Sequence, residues 1–121
     1  MNAAKAAKAL VDEIYRDDSK WEKNFRMARN VLEEALEKTP EDPVLLTCYG
    51  AILSDTGHHR RAVGVLRKAV AISRDRNAEF NLGVALVNSG HIDEGREHMA
   101  NAGRLKPHPH TWQAYFDPHG H

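Results

Sequence analysis

The sequence predicts an all-α protein, a solenoid of helix-turn-helix repeats with about six helices. The first observation is a self-match: the pattern of residues 43–75 returns in residues 76–109 after a shift of 33 positions. The second is that apolar residues recur at the i, i+3, i+4 spacing of a helix, and no segment alternates as a strand would. A sequence period in the thirties is typical of stacked helical hairpins.

Length and composition limit the range of functions. A chain of 121 residues is enough for one domain. The 17 basic and 17 acidic side chains give a formal net charge of zero, which argues against a general nucleic-acid or membrane-surface binder. The single cysteine, Cys48, cannot form an internal disulfide.

The beginning of the chain is rich in alanine and lysine and lacks the apolar core of a secretory signal. No stretch approaches the 18 apolar residues that a membrane-spanning helix needs. From these two observations we expect a cytoplasmic location.

The first two helices are predicted from apolar stripes. Residues 3–15 place Ala, Leu, Val and Ile on one face, and a second stripe runs to about Lys38. Between them, Ser19 and Glu22 have the spacing of a capping box at the start of the second helix.

The remaining helices are bounded by turn residues. Asp42 is expected to cap the third helix with Pro43 in its first position, and Asn77 is a candidate cap for the fifth. The four predicted ranges are Pro43 to about Ser54, His59 to about Ile72, Asn77 to about Asn88, and Ile92 to about Leu105.

Small residues recur where paired helices must approach. Gly50 is expected to face Ala69, and Gly83 to face Ala102, while Gly57 and Gly90 permit tight turns. Each pair of helices leaves an apolar face uncovered, so neighbouring pairs should stack.

One segment indicates a family. Asn81-Leu82-Gly83-Val84-Ala85-Leu86, followed by Ser89-Gly90-His91-Ile92-Asp93-Glu94-Gly95, resembles the tetratricopeptide repeat. The resemblance implies a right-handed superhelical domain over residues 1–109, with a degenerate repeat at 9–42 and repeats at 43–75 and 76–109. Residues 110–121 would then be a C-terminal tail or a short cap.

The resemblance also implies a function. Members of this family bind a peptide or helix of a partner protein in a concave groove, so we expect a non-catalytic adaptor or scaffold with no cofactor. The alternative is a chaperone of the same fold for a secreted or assembling client. The expected contacts lie on the third and fifth helices: Thr47, Cys48, Ala51, Asp55, Asn77, Phe80, Asn81, Val84 and Asn88.

Asparagines are prominent in this set, since Asn77, Asn81 and Asn88 follow one face of the fifth helix. An amide can both donate to and accept from an extended backbone. The other reading is that Asn77 only caps its helix and Asn81 bonds within the helical stack.

Charge is distributed unevenly between the repeats. Residues 43–76 carry six basic and two acidic side chains, and residues 9–42 carry six basic and ten acidic ones. We expect Glu33 and Glu34 to face Arg67 and Lys68 across neighbouring helices, rather than a nucleic-acid surface.

No catalytic or metal motif is evident. The eight histidines match no known ligand spacing, although His108, His110, His119 and His121 in the tail leave an enzyme or metal protein as a rival. Cys48 has no histidine partner close in sequence, and the phosphate-loop motif is absent.

The tail carries three aromatic residues, Trp112, Tyr115 and Phe116. They could cover the sixth helix, or contact another protein or a second copy in a homodimer. The third possibility is that the tail is disordered.

Overall fold

A computed structural model describes residues 2–118. The described residues form six α-helices and a short 3-10 turn, Asp18–Lys20, with no strand, which confirms the all-α prediction. The helices are α1 (Ala3–Arg16), α2 (Trp21–Lys38), α3 (Pro43–Asp55), α4 (His59–Ile72), α5 (Arg76–Asn88) and α6 (Ile92–Ala102).

Two aspartates begin the central helices. Asp42 accepts hydrogen bonds from the backbone N–H groups of Val44 and Leu45, as predicted for α3. Asp75 does the same for α5, so the prediction that Asn77 is the cap was wrong. Sequence alone does not separate two good capping residues that lie two positions apart.

The predicted capping box at α2 is also absent. Ser19 lies inside the 3-10 turn, where its backbone N–H and hydroxyl both donate to Asp17. Lys20 occupies the N-cap position of α2 without a side-chain hydrogen bond. The Ser19 hydroxyl therefore donates to the Asp17 carboxylate instead of capping α2.

The closest packing is within consecutive pairs, α1 with α2, α3 with α4 and α5 with α6. In addition, α1 contacts α3, and α3 contacts α5. Gly83 lies directly against Met99 and the Gly95 carbonyl of α6, because a Cβ there would come within 2.6 Å of both. Gly50 likewise faces Leu66 rather than Ala69.

The turns after α3 and α5 contain glycines in the left-handed region, with φ of 86° at Gly57 and 94° at Gly90. This confirms the predicted tight turns, since residues with a side chain rarely adopt these angles.

Burial is concentrated in α3 and α5. Every residue of α3 from Leu45 to Ser54 is buried, and in α5 the buried residues run from Asn77 to Val87 with only Phe80 partly exposed. In contrast, α1, α2, α4 and α6 each bury a single stripe. The two central helices are therefore covered on all sides.

The tail provides part of that cover. After α6 ends at Ala102, the backbone N–H of Arg76 donates to the Lys106 carbonyl and turns the chain back toward α5. The chain then continues without helix along α5 and α3. The tail aromatics were predicted to cover the sixth helix. Trp112 and Phe116 pack in the same cluster as Met99 of α6, but the hydrogen bonds of the tail go to α5 and α3.

Charge pairs do link neighbouring helices, but not between the predicted partners. Arg67 donates to Glu94 of α6 at 2.9 Å, and Glu33 lies 3.7 Å from Arg61. Glu33 also accepts from the Tyr49 hydroxyl. These side chains are long and partly exposed, so their pairing depends on geometry that a repeat alignment does not contain.

None of the helices in residues 2–118 combines the length and the apolar character that crossing a bilayer would require.

Candidate functional site

The surface formed by α3 and α5 is occupied by the protein's own tail. We call this surface the α3–α5 groove and define it by Cys48, Ala51, Asp55, Asn77, Phe80, Asn81 and Val84. Residues 108–116 of the tail run along it. All seven of these positions belong to the set predicted from the sequence to contact a peptide.

Asn81 is the central polar contact of the groove. Its Nδ2 donates to the Trp112 carbonyl at 2.9 Å, and its Oδ1 accepts from the Ala114 backbone N–H at 2.8 Å. The side chain is fully buried. One amide thus satisfies a carbonyl and an N–H two residues apart on a segment without regular secondary structure.

A second polar contact lies at the beginning of α5. Asn77 donates to the Thr111 hydroxyl at 3.0 Å, and that hydroxyl lies 3.0 Å from the Asp75 carboxylate. The backbone N–H of His108 also donates to Asp75. Asp75 therefore caps α5 and anchors the tail with the same carboxylate.

The sequence did not predict that Asp75 and Thr111 form hydrogen bonds between α5 and the tail. Asp75 stands two positions before the predicted start of the fifth helix, and an aspartate at the start of a helix is a candidate N-cap. Nothing in the sequence placed Thr111 beside it, because the two residues are 36 positions apart.

The apolar part of the groove accepts a small side chain. Ala114 is 4% exposed and contacts Ala51 and Val84, while Phe80 and Met99 pack around them. Trp112 and Phe116 of the tail flank Ala114 and are only partly buried. The small residue at position 51 leaves the space that Ala114 fills.

Two contacts mark the ends of the tail segment. The Cys48 thiol donates weakly to the His110 carbonyl at 3.4 Å, and the Tyr115 backbone N–H donates to Asp55 Oδ1 at 2.9 Å. Burial raises the pKa of the Cys48 thiol, so this side chain remains a neutral thiol. Burial also raises the pKa of Asp55 to about 6, although the Tyr115 N–H opposes the change.

Two predicted contact residues have other roles. Thr47 is buried and its hydroxyl donates to the Pro43 carbonyl of its own helix at 2.7 Å. Asn88 lines a cavity together with Ser54, Tyr15 and the tail residue Tyr115.

That cavity lies between α1, α2, α3, the beginning of α4, the end of α5 and the tail, with a volume of about 370 Å³. We call it the aromatic cavity and define it by Tyr15, Trp21, Phe25, Ser54, Asp55 and Tyr115. Asp55 belongs to both the groove and this cavity.

No group of three metal-ligating side chains comes together anywhere in residues 2–118. His108 and His110 lie near each other, with ring centroids 5.4 Å apart. The predictions concerning His119 and His121 fall outside the described residues.

No protein-family model matches the chain. No curated protein matches it at a significant level.

Proposed function

We propose that this protein is a non-catalytic adaptor of the tetratricopeptide type that binds an extended segment of a partner protein in the α3–α5 groove. The observation that carries the proposal is the pair of hydrogen bonds from Asn81 to the backbone of Trp112 and Ala114. The fold component of the proposal is supported by the consecutive helical pairs and by the succession of contacts from α1 to α3 and from α3 to α5.

The contacts that the groove makes are mostly independent of sequence. Asn81, Cys48 and Asp55 all bond to backbone atoms of the bound segment. Backbone bonds provide affinity for any extended peptide, while side-chain pockets provide specificity. The pocket around Ala114 therefore predicts a small residue at that position of the partner's segment.

The tail also sets a condition for binding, because a partner must displace it. A covalently attached segment acts at an effective concentration in the millimolar range when its linker is short. The apparent affinity for a partner is reduced by the fraction of molecules whose groove is open. A homodimer formed through the C-terminal aromatic residues stays a prediction. A cytoplasmic location also stays a prediction.

The test uses a fluorescent peptide with the sequence of residues 107–117 and the full-length protein. The variant Ala114→Arg should detach the tail, because a charged side chain cannot fill the pocket between Ala51 and Val84. We expect this variant to bind the peptide at least tenfold more tightly than the wild type, measured by fluorescence anisotropy.

Adding Asn81→Ala to Ala114→Arg should weaken peptide binding at least tenfold, since two backbone groups lose their partner. The matched control adds Asn30→Ala, which removes an exposed asparagine of α2. Equal peptide affinity with Asn81→Ala and with Asn30→Ala would rule out the groove as the binding site.

A further inference from the structure

The aromatic cavity adjoins one end of the groove, with which it shares Asp55, and is lined by an unusual set of side chains. Tyr15 comes from α1, Trp21 and Phe25 from α2, Ser54 and Asp55 from α3, and Tyr115 from the tail. Its volume of about 370 Å³ is near the lower end of the range for small-molecule sites. It would therefore suit a compact head group.

Three aromatic side chains in residues 2–118 are exposed, and all three line this cavity. The exposed fractions are 73% for Tyr15, 45% for Trp21 and 68% for Tyr115. The rings of Trp21 and the buried Phe25 meet edge to face, with centroids 5.0 Å apart and an interplanar angle of 75°. Large apolar side chains that converge around one opening commonly mark a binding site.

The cavity also contains one carboxylate. Asp55 Oδ1 accepts a single backbone hydrogen bond, from Tyr115, and a carboxylate has about four acceptor positions. No lysine or arginine among the described residues lies within ion-pair distance of Asp55, and His59 is the one lining side chain that can carry a positive charge. A partly buried carboxylate that lacks a lysine or arginine partner is costly, and a bound cation would reduce that cost.

A further polar group is left without a partner. The Ser54 hydroxyl is buried, the residue being 5% exposed, and its oxygen has no hydrogen-bond partner among the described residues. Ser54 lines the same cavity. A ligand with a polar atom next to its charged group could satisfy this hydroxyl.

We propose that the aromatic cavity binds a methylated ammonium group, held by the rings of Tyr15, Trp21 and Tyr115 and by the Asp55 carboxylate. A cation over the face of an aromatic ring is attracted by the negative charge of the π system, most strongly over tryptophan. A primary ammonium is strongly hydrated and needs acceptors for three donors. A quaternary, fully methylated ammonium has no N–H donor and needs no acceptor, so a site with one carboxylate and several rings favours it.

The same chemistry has two possible sources, a free choline-type molecule and a trimethylated lysine side chain. The test measures binding to the full-length protein by NMR chemical shifts and calorimetry, with choline and with a short peptide that contains trimethyl-lysine. The critical comparison is 3,3-dimethylbutan-1-ol, which has the shape of choline without the charge. We expect this neutral compound to bind at least tenfold more weakly than choline.

Two variants test the cavity from different sides. Trp21→Ala removes a ring. Asp55→Asn removes the negative charge but keeps an oxygen that accepts from the Tyr115 N–H. Each variant should weaken binding of the methylated cation at least tenfold. The matched control is Glu94→Gln, which removes an exposed carboxylate paired with Arg67 on another face. It should leave cation binding unchanged.

Each outcome decides the proposal. Binding of choline, of the trimethyl-lysine peptide or of both supports it and identifies the source. The proposal is overturned if neither ligand binds, if the neutral compound or an unmodified lysine peptide binds as well, or if Trp21→Ala and Asp55→Asn have no effect. The proposal can fail separately from the adaptor function, because Trp21 makes none of the groove's hydrogen bonds, so adding Trp21→Ala to the Ala114→Arg variant should not change its binding of the tail peptide.

Discussion

Asn81 holds the tail of the chain against α5 through both ends of its amide. It lies on the face of α5 that the sequence predicted, and its amide provides both the donor and the acceptor that an extended backbone needs. The spacing of the asparagines predicted that they share one face of α5, and Asn77 and Asn81 of this set both contact the tail. The identity of the bound segment was not predictable, because nothing in the sequence of the tail indicates its course.

The Asp55 carboxylate is part of the proposed cation site, but its burial lowers the stability of the folded protein at neutral pH. Its pKa is about 6 in the folded protein against an ordinary value of 3.8, because burial disfavours the charged form. A carboxyl whose pKa is raised by folding binds its proton more tightly in the folded state. Its contribution to stability is therefore greatest at low pH and declines as the pH rises from about 4 to about 6.

The variant Asp55→Asn should therefore be more stable than the wild type at pH 7.5, by at most about 3 kcal/mol. The difference should shrink as the pH is lowered to about 4, where the aspartate is neutral as well. Urea unfolding at the two pH values measures this, with the exposed Glu37→Gln as control. A variant that is less stable at pH 7.5, or a difference that does not change with pH, would contradict the assignment.

At the scale of elements, the helices were predictable and the tail was not. Apolar stripes and turn residues are local signals, so five of the predicted helices end within one or two residues of the observed position. The sixth ends at Ala102 instead of about Leu105, where Gly103 follows. The tail has no periodicity of its own, because its hydrogen bonds come from side chains of α3 and α5.

Close packing between paired helices makes a second prediction. The substitution Gly83→Ala would place a Cβ 2.4 Å from Met99 Cγ and 2.6 Å from the Gly95 carbonyl oxygen. Since backbone cannot move aside easily, we expect a loss of about 1–3 kcal/mol in the free energy of unfolding.

The matched control is Gly64→Ala in α4, where a new Cβ would meet no atom within 4 Å. Alanine in an exposed helix interior should raise stability by about 0.5–1 kcal/mol. Chemical denaturation of both variants compares them directly. If the two substitutions had effects of the same sign, the close approach of α5 and α6 would be in doubt.

At the scale of the whole molecule, the tail connects the two proposed sites. Its backbone fills the α3–α5 groove, and Tyr115 at its end forms one wall of the aromatic cavity. The same carboxylate, Asp55, contacts both. A partner that displaces the tail would therefore also remove part of the cavity, and ligands of the two sites should oppose each other.

Asn81 holds the backbone of the tail in the groove through the Ala114 amide, and hydrogen exchange at that amide measures this contact. The account predicts a protected amide in the wild type, with protection lost in Asn81→Ala and retained in Asn30→Ala. The role of Asn81 would be contradicted if the wild-type Ala114 amide exchanged as fast as that of an unfolded peptide. It would also be contradicted if Asn81→Ala left the exchange rate unchanged.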